Sequence, residues 1–579
     1  MHRKVTRPVA AALAAALLGL PGAPLYADQA AAGPATVSAT QLENADQDAD
    51  SWLVYGRDLG GQRFSPLKQI DTSTVGGLTT AWTKTLGAPV SMEGTPIVSG
   101  GVMYVTTGKS AVYALDAKTG KTIWSYIYPL PASALPESCC NSDNRGVTLV
   151  GDEVVYGTLD AHLIALDAAT GKVRWKATVA NNADGYAITS PPLPVKNMVI
   201  TGVGGGEYPT RGFIAAYDSA TGKQLWKQYT IPGPGDEGYD SWKIAGTAKR
   251  GGGPTWLPGT YDPKTDTLFW GTGNPNPDFD ADGTAGDLLY TSGLLALDPS
   301  TGAKKWFYQF TPHNIWDYDG VNEPMLVDVP MNGQTVPAIA HADRNGYLYL
   351  LNRETGKLIY AEPFLDKVTW GTVDRTTGKI TLNADIQAKA KARQPYTVYP
   401  SVIGGKNWEP DAYDPDHHIL FIPALESSIT LIPDKKSNEA PKKGAFNFGG
   451  GFTAAHFAGS LSAWDLTTGK MLWKKHFRSP AFGGALATGG GIVYIGQMEG
   501  VLQGYDEMTG KLVWQKKTAS GITAPPISYT VDGQQYLAVE VGIGGVVPLF
   551  FMAAVPWLKT VTPASMVYTF KLPQKAALK

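Results

Sequence analysis

A chain of 579 residues could hold several ordinary domains, yet repeat folds and large closed β structures use this length as one unit. With 67 Gly, 41 Pro, 16 Trp and only 17% charged residues, the composition favours many short strands joined by tight turns, with tryptophans packed between them. A formal net charge of −2 excludes the strong field expected of a nucleic-acid binder or of a protein held on an acidic membrane.

The first predicted element is a secretory signal. His2, Arg3, Lys4 and Arg7 precede an apolar run from Val9 to Leu20, and Pro-Gly-Ala-Pro-Leu-Tyr-Ala leads up to Asp28. That order of charge, apolar stretch and small residues marks residues 1–27 as a signal peptide cleaved after Ala27, and the run is too short to span a bilayer. Residues 28–579 are then exported. No later stretch predicts a membrane span, since Val546 to Trp557 is broken by Pro548 and Pro556.

From Ala114 an eleven-residue pattern recurs: Ala114-Leu-Asp116-Ala-Lys-Thr119-Gly120-Lys-Thr-Ile-Trp124, then Ala165 to Trp175, Ala216 to Trp226, Ala296 to Trp306, Ala463 to Trp473 and Gly504 to Trp514, with a degenerate copy from Leu350 to Tyr360. Each reads as a strand, an Asp-x-x-Thr-Gly turn and a second strand ending in Trp. Repetition at this scale predicts a propeller or solenoid. The first copies recur at the length of one four-stranded blade, and seven units plus one blade closed by the two chain ends predict an all-β, eight-bladed β-propeller with Trp-docking repeats over residues 28–579. The tryptophans are read as packing between sheets. The residues up to about Ile70 are expected to supply the closing strand, and Asn383 to Gln394 a short helix.

The two cysteines are neighbours, Cys139-Cys140. An oxidising compartment permits a bridge between them, strained because adjacent Cα atoms lie closer than disulfides prefer; two buried thiols are the other reading. No Cys-x-x-Cys-His occurs, so no c-type haem is attached.

Trp316-Asp317-Tyr318-Asp319-Gly320-Val321-Asn322 places two carboxylates one residue apart. In an extended segment both point to one side, close enough to share a cation; a solvated turn at Asp319-Gly320 is the alternative.

Together the Trp repeat, the opening Trp52-Leu-Val-Tyr-Gly56-Arg57-Asp58, the Cys139-Cys140 pair and the Trp-Asp-Tyr-x-Gly-Val-Asn segment resemble the quinoprotein alcohol dehydrogenases, eight-bladed propellers that use pyrroloquinoline quinone (PQQ). The resemblance covers nearly the whole mature chain. It implies a vicinal disulfide of Cys139 and Cys140 on one face of the quinone and Trp256 on the other. Cofactor contacts map to Glu93, Arg145, Thr189, Gly204, Gly205, Gly206, Arg344, Asn407 and Trp408, and the metal ligands to Glu207, Asn274 and Asp317. All are hard oxygen donors, suited to a calcium-like ion rather than zinc or copper. Asp319 resembles the lanthanide-dependent branch, where calcium-using relatives carry a small residue. Three carboxylates at Glu207, Asp317 and Asp319 match a trivalent ion by charge.

The resemblance further implies that Asp317 is the catalytic base, that Arg344 stabilises charge on the quinone oxygen, and that electrons leave to a soluble periplasmic cytochrome c. Substrates are primary alcohols, with aldehydes following as hydrates. Gly542-Ile-Gly544-Gly545-Val546 lacks the Trp of methanol-type members and looks ethanol-type. A homodimer is compatible with the chain, and nucleic acid is not an expected partner. The alternatives are the same enzyme on calcium, methanol as main substrate, or a non-enzymatic propeller scaffold.

Overall fold

The computed structural model describes residues 36–134, 142–244, 246–280, 285–434, 444–545, 552 and 554–573. The expected signal peptide, Cys139, Cys140 and Val546 lie outside these residues. Among them, eight sheets of four or five strands follow one another along the chain, with one further two-stranded hairpin, Gly371–Val373 with Ile380–Leu382.

The first sheet shows the unit. Ile97–Ser99, Val102–Thr107, Ala111–Asp116 and Thr122–Tyr126 pair antiparallel in sequence order. Every residue of Val102–Thr107 is buried, as befits an inner strand covered by a neighbouring sheet on each face. The outermost strand is exposed except for the buried Trp124 and the half-buried Tyr126.

Turn chemistry fixes the last hairpin of each of the first seven sheets. Asp116 Oδ1 accepts the backbone N–H of Thr119 at 2.7 Å and its hydroxyl at 2.8 Å, an Asx turn that the side chain closes on its own backbone. Asp167, Asp218, Asp298, Asn352 and Asp506 repeat it. Asp374 and Thr377 build the same turn in the extra hairpin.

The tryptophans join one sheet to the next. Trp124 Nε1 donates to Ala168 O at 2.9 Å, Trp175 to Ser219 O at 2.9 Å, Trp226 to Pro299 O at 2.9 Å and Trp473 to Glu507 O at 2.8 Å, each in the turn of the following sheet. Tyr360 takes the place of Trp in the fifth sheet and donates to Leu466 O at 2.9 Å. The turn glycine is required at this contact. Gly171 has φ +70°, and a Cβ there would lie 2.6 Å from the Trp124 ring. The tryptophans therefore pack between sheets as their repetition predicts, although the strands run on past them, to Tyr126 and Thr178 in the first two sheets.

Two expectations change. The strand that joins the two chain ends is Thr79–Thr85, paired antiparallel with Met566–Lys571, and lies after Ile70 rather than before it. Its Trp82 donates to Ala117 O at 3.2 Å, so the last sheet docks on the first by the same device. Among the described residues before Ile70 the strand is Phe64–Ser65, parallel to Ala485–Thr488 in the seventh sheet, with single bridges from Val37 to Gly151 and from Trp52 to Val98. The expected helix is Ala384–Lys391, shorter than predicted, with Asn383 as its N-cap. Among the described residues no helix is long and apolar enough to cross a membrane.

Candidate active site

In an antiparallel four-stranded unit, the connection between strands two and three and the connection to the next sheet emerge at the same end. The Asp-x-x-Thr-Gly turns emerge at the other. Every predicted site residue among the described residues except Asn407 and Trp408 belongs to the first kind of connection. Gly204 to Glu207 lie between Met198–Thr201 and Phe213–Asp218, Asn274 between Thr267–Thr272 and Gly293–Leu297, and Arg344 between Gln334–Ala342 and Tyr347–Asn352. Glu93, Arg145, Thr189, Trp256, Asp317 and Asp319 lie on links between successive sheets, and Asn407 and Trp408 between Tyr396–Val398 and Ala412–Asp414, which both pair with Ile419–Pro433 of the sixth sheet.

These connections form a cavity, open to solvent, lined by Arg145, Thr189, Gly204, Gly205, Gly206, Glu207, Trp256, Asp317, Asp319, Arg344, Asn407 and Trp408. Glu93 and Asn274 do not line it and act from behind. Glu93 pairs with Arg145 at 2.9 Å, both fully buried, and Asn274 gives its N–H to Asp319 Oδ1 at 2.6 Å. Asp143, Ala187, Ile403 and Phe448 complete the lining.

The Asp317-Tyr318-Asp319 segment is a tight turn, not the extended run that its alternation suggested. Asp317 has φ +59°, and the Asp319 N–H reaches Asp317 O at 3.2 Å. Asn314 holds the turn: its Oδ1 accepts the N–H groups of Trp316 at 2.9 Å and Tyr318 at 3.2 Å, and its Nδ2 donates to Tyr318 O at 2.9 Å. Trp316 and Tyr318 are fully buried and stack with ring centroids 5.6 Å apart. The aromatics thus face the core while both carboxylates face the cavity.

Arg344 joins the two acids. Its guanidinium pairs with Asp319, lies 3.3 Å from Asp317 Oδ2 and donates to Val402 O at 2.6 Å. Asp319 also accepts the indole N–H of Trp256 at 2.9 Å. Burial, then the charges of Asp319 and Glu207, hold the Asp317 carboxyl well above the usual carboxylate range against the pull of Arg344. Burial, with the charge of Asp319 adding to it, pushes Glu207 up to about 7. Carboxylates crowded in this way call for a cation. Asp317 Oδ1 and Asn274 Oδ1 are buried without a hydrogen-bond partner, and an oxygen-only donor set suits a hard ion. The solvated-turn reading of Asp319 fails, because Asp319 is 3% exposed.

At the far side of the cavity Arg145 lies 5.2 Å from the Trp256 ring centroid and 5.0 Å from that of Trp408, and its backbone N–H donates to Thr189 O at 2.9 Å. A guanidinium framed by two indoles on the lining of the cavity suits a planar anionic ligand. Burial, then the neighbouring Asp143, raises Glu93 well above its usual range, while Arg145 opposes the rise. Trp408 is fixed edge-on against Phe482 with centroids 4.3 Å apart.

Sequence reasoning missed Asp143, Asp278 and Phe448. Asp143 lies 4.0 Å from Arg145, and its spacing two residues before an arginine was the available signal. Asp278 is fully buried and accepts Asn274 Nδ2–H at 2.6 Å; in Asn274-Pro-Asn-Pro-Asp278 it reads as one more turn residue. Phe448 stacks on Phe279 with centroids 5.1 Å apart, and nothing local marks it.

The family model for the β-propeller domain of PQQ glucose/ethanol/alcohol dehydrogenases matches residues 52–362 and 459–537. Quinoprotein alcohol dehydrogenase PedH of Pseudomonas putida is 37% identical over 573 residues, covering 94% of this chain and 95% of that protein. Quinoprotein ethanol dehydrogenase of Pseudomonas aeruginosa is 37% identical over 608 residues, covering 96% and 95%. Among solved structures, a europium-containing methanol dehydrogenase superposes with a TM-score of 0.85 at 32% identity, covering 92% of this chain and 100% of that one. The quinohemoprotein alcohol dehydrogenase ADHIIG of Pseudomonas putida HK5 gives a TM-score of 0.89 at 33% identity, covering 94% and 84%.

Proposed function

The chain belongs to the PQQ-dependent alcohol dehydrogenases, and from that membership we propose that it oxidises primary alcohols of the ethanol type, over a broad range, to aldehydes in the periplasm, with a lanthanide ion beside the quinone and a soluble cytochrome c as electron acceptor. The eight larger sheets are read as eight blades. The observation that carries the proposal is the convergence of Asp317, Asp319, Glu207 and Arg344 on one cavity that Arg145 and Trp256 also line.

The residues fit both groups. Arg145 provides a fork for a carboxylate and the Trp256 indole a flat wall for a planar quinone. Glu207, Asn274, Asp317 and Asp319 would hold the metal, two of them offering buried oxygens that have no other partner. The redox chemistry, hydride acceptance from the alcohol, would be supplied by PQQ. The protein's own part is to orient and to move a proton. Asp317 takes the hydroxyl proton on its carboxylate. Arg344, spanning Asp317 and Asp319, keeps that carboxylate aimed at the cavity and presents positive charge where negative charge develops. Trp256 is braced by its bond to Asp319, so the cofactor wall and the metal side are built as one piece.

The europium-containing structural relative and the acid at 319 support a lanthanide. Calcium has one observation on its side: Arg344 already neutralises one of the three carboxylates that would face the ion. Ethanol-type substrates are supported by the ethanol dehydrogenase relative and by the Gly542-Ile-Gly544-Gly545 segment.

The test is dye-linked oxidation of primary alcohols by the PQQ-loaded protein and by Asp317→Asn. The variant is expected to lose about 10²- to 10⁴-fold in kcat while keeping the quinone absorbance. A variant that keeps its full rate would remove Asp317 from the proton transfer, and a wild type that takes up no quinone would favour the scaffold reading.

A further inference from the structure

Three buried oxygens cluster around Asn274 without a hydrogen-bond partner: Asn274 Oδ1, Asp317 Oδ1 and Asp278 Oδ2. Asp278 is 0% exposed and Asn274 1%. The other oxygen of Asp278 accepts Asn274 Nδ2–H at 2.6 Å, while the backbone N–H of Asn274 goes to Asp319 at 2.6 Å. Asn274 is thereby clamped between two carboxylates with its amide oxygen left bare. That oxygen faces Gly206, next to Glu207, and lies 2.5 Å from where a Cβ at Gly206 would sit.

The loop that carries Asp278 is locked on both sides. Asn276 Nδ2 donates to Gly206 O at 3.0 Å, and the Phe279 N–H donates to Phe448 O at 2.8 Å. Asp278 is therefore held at this wall, away from solvent.

The charge count at this wall changes once Arg344 and Asp278 are both included. Glu207, Asp317 and Asp319 less the Arg344 guanidinium leave two negative charges, the balance for a divalent ion. Asp278 makes it three.

Building on the metal reading above, we propose that Asp278 sets which ion charge the site prefers: it turns the Asn274 amide oxygen toward the site and supplies the fourth carboxylate that balances a trivalent cation. A loop brace alone would hold Asn274 for any ion. A charge acts in proportion to the ion's own charge, so losing it costs a trivalent ion about one and a half times the free energy it costs a divalent one.

The test is a pair of chelator-buffered titrations, with lanthanum and with calcium, of the metal-stripped, PQQ-loaded protein, followed by tryptophan fluorescence. For Asp278→Asn, which keeps the shape and removes the charge, calcium affinity is expected to fall about tenfold and lanthanum affinity about thirtyfold or more. Asp278→Glu keeps the charge and shifts the brace; it should weaken both ions while preserving the preference for lanthanum. Removing one of four crowded acids should also raise the melting temperature of metal-free Asp278→Asn above that of metal-free wild type. Equal weakening of both ions by Asp278→Asn, no weakening, or loss of the preference in Asp278→Glu would overturn the proposal. A wild type that binds calcium and lanthanum alike would overturn the metal reading itself. A wild type that prefers lanthanum, with Asp278→Asn unchanged, would overturn only the role given to Asp278.

Discussion

Arg344 contributes geometry as much as charge. One planar guanidinium reaches Asp319, Asp317 and Val402 O together, which a single ammonium cannot do. Arg344→Lys is therefore expected to cut kcat by about 10²- to 10³-fold with a much smaller change in KM, read by steady-state assay of the loaded enzyme. A change confined to KM would contradict the role. Glu540 gives a pH signature away from the metal ligands. Fully buried on Gln534–Val541, it accepts the Gly94 N–H at 3.1 Å and has a second oxygen without a partner. Burial, against the bond from Gly94, pushes its carboxyl from 4.5 up to about 8. Between those values the folded chain holds a proton that the unfolded chain has released, so stability falls as pH rises through that window. Glu540→Gln holds no such proton. Its melting temperature relative to wild type should rise from about pH 5 to about pH 8, and a difference independent of pH would refute the assignment.

At the scale of the element, the unit of construction is the Trp–turn contact between neighbouring sheets. Trp124, 9% exposed, fills the space that the turn glycine of the next sheet leaves open. Trp124→Ala should cost about 3–5 kcal/mol. Gly171→Ala should cost about 1–3 kcal/mol, from the positive φ and from collision with the indole. In the Trp124→Ala background the collision is gone, so Gly171→Ala should there cost only its backbone share. Denaturant titration of the four proteins reads this coupling, and strict additivity would contradict the packing account. This contact was legible in the chain because Asp, Thr, Gly and Trp recur at fixed spacing and the turn is closed by its own side chain. Trp82 was not. Its strand has no Asp-x-x-Thr-Gly turn, and its partner Met566–Lys571 lies at the other end of the sequence. Pairing of that kind is a tertiary choice, with no local chemistry to announce it.

Across the whole molecule, the topology separates structure from function. The repeated turns occupy one end of the sheets, and the other end gathers the cavity from links of different lengths. Arg145, Trp256, Asp317, Arg344, Asn407 and Trp408 were legible because their motifs resemble a family, not because spacing placed them together. Asp278 and Phe448 became visible only once burial and contacts were known, since Asn274-Pro-Asn-Pro-Asp278 taken locally is a turn. Alternation of the 316–319 segment did report which side chains share a face, but for the wrong reason: Asn314 and a left-handed Asp317 produce it, not a strand.

Lanthanide use by this wall of carboxylates is the proposal on which the metal reading stands. The most direct measurement is dye-linked ethanol oxidation by the metal-stripped, PQQ-loaded protein with calcium or lanthanum, beside Asp319→Ala. Activity restored by lanthanum and only weakly by calcium, with the lanthanum-dependent rate lost in Asp319→Ala, is the predicted result. Equal reconstitution by calcium, or an Asp319→Ala variant that keeps its full lanthanum-dependent rate, would contradict it.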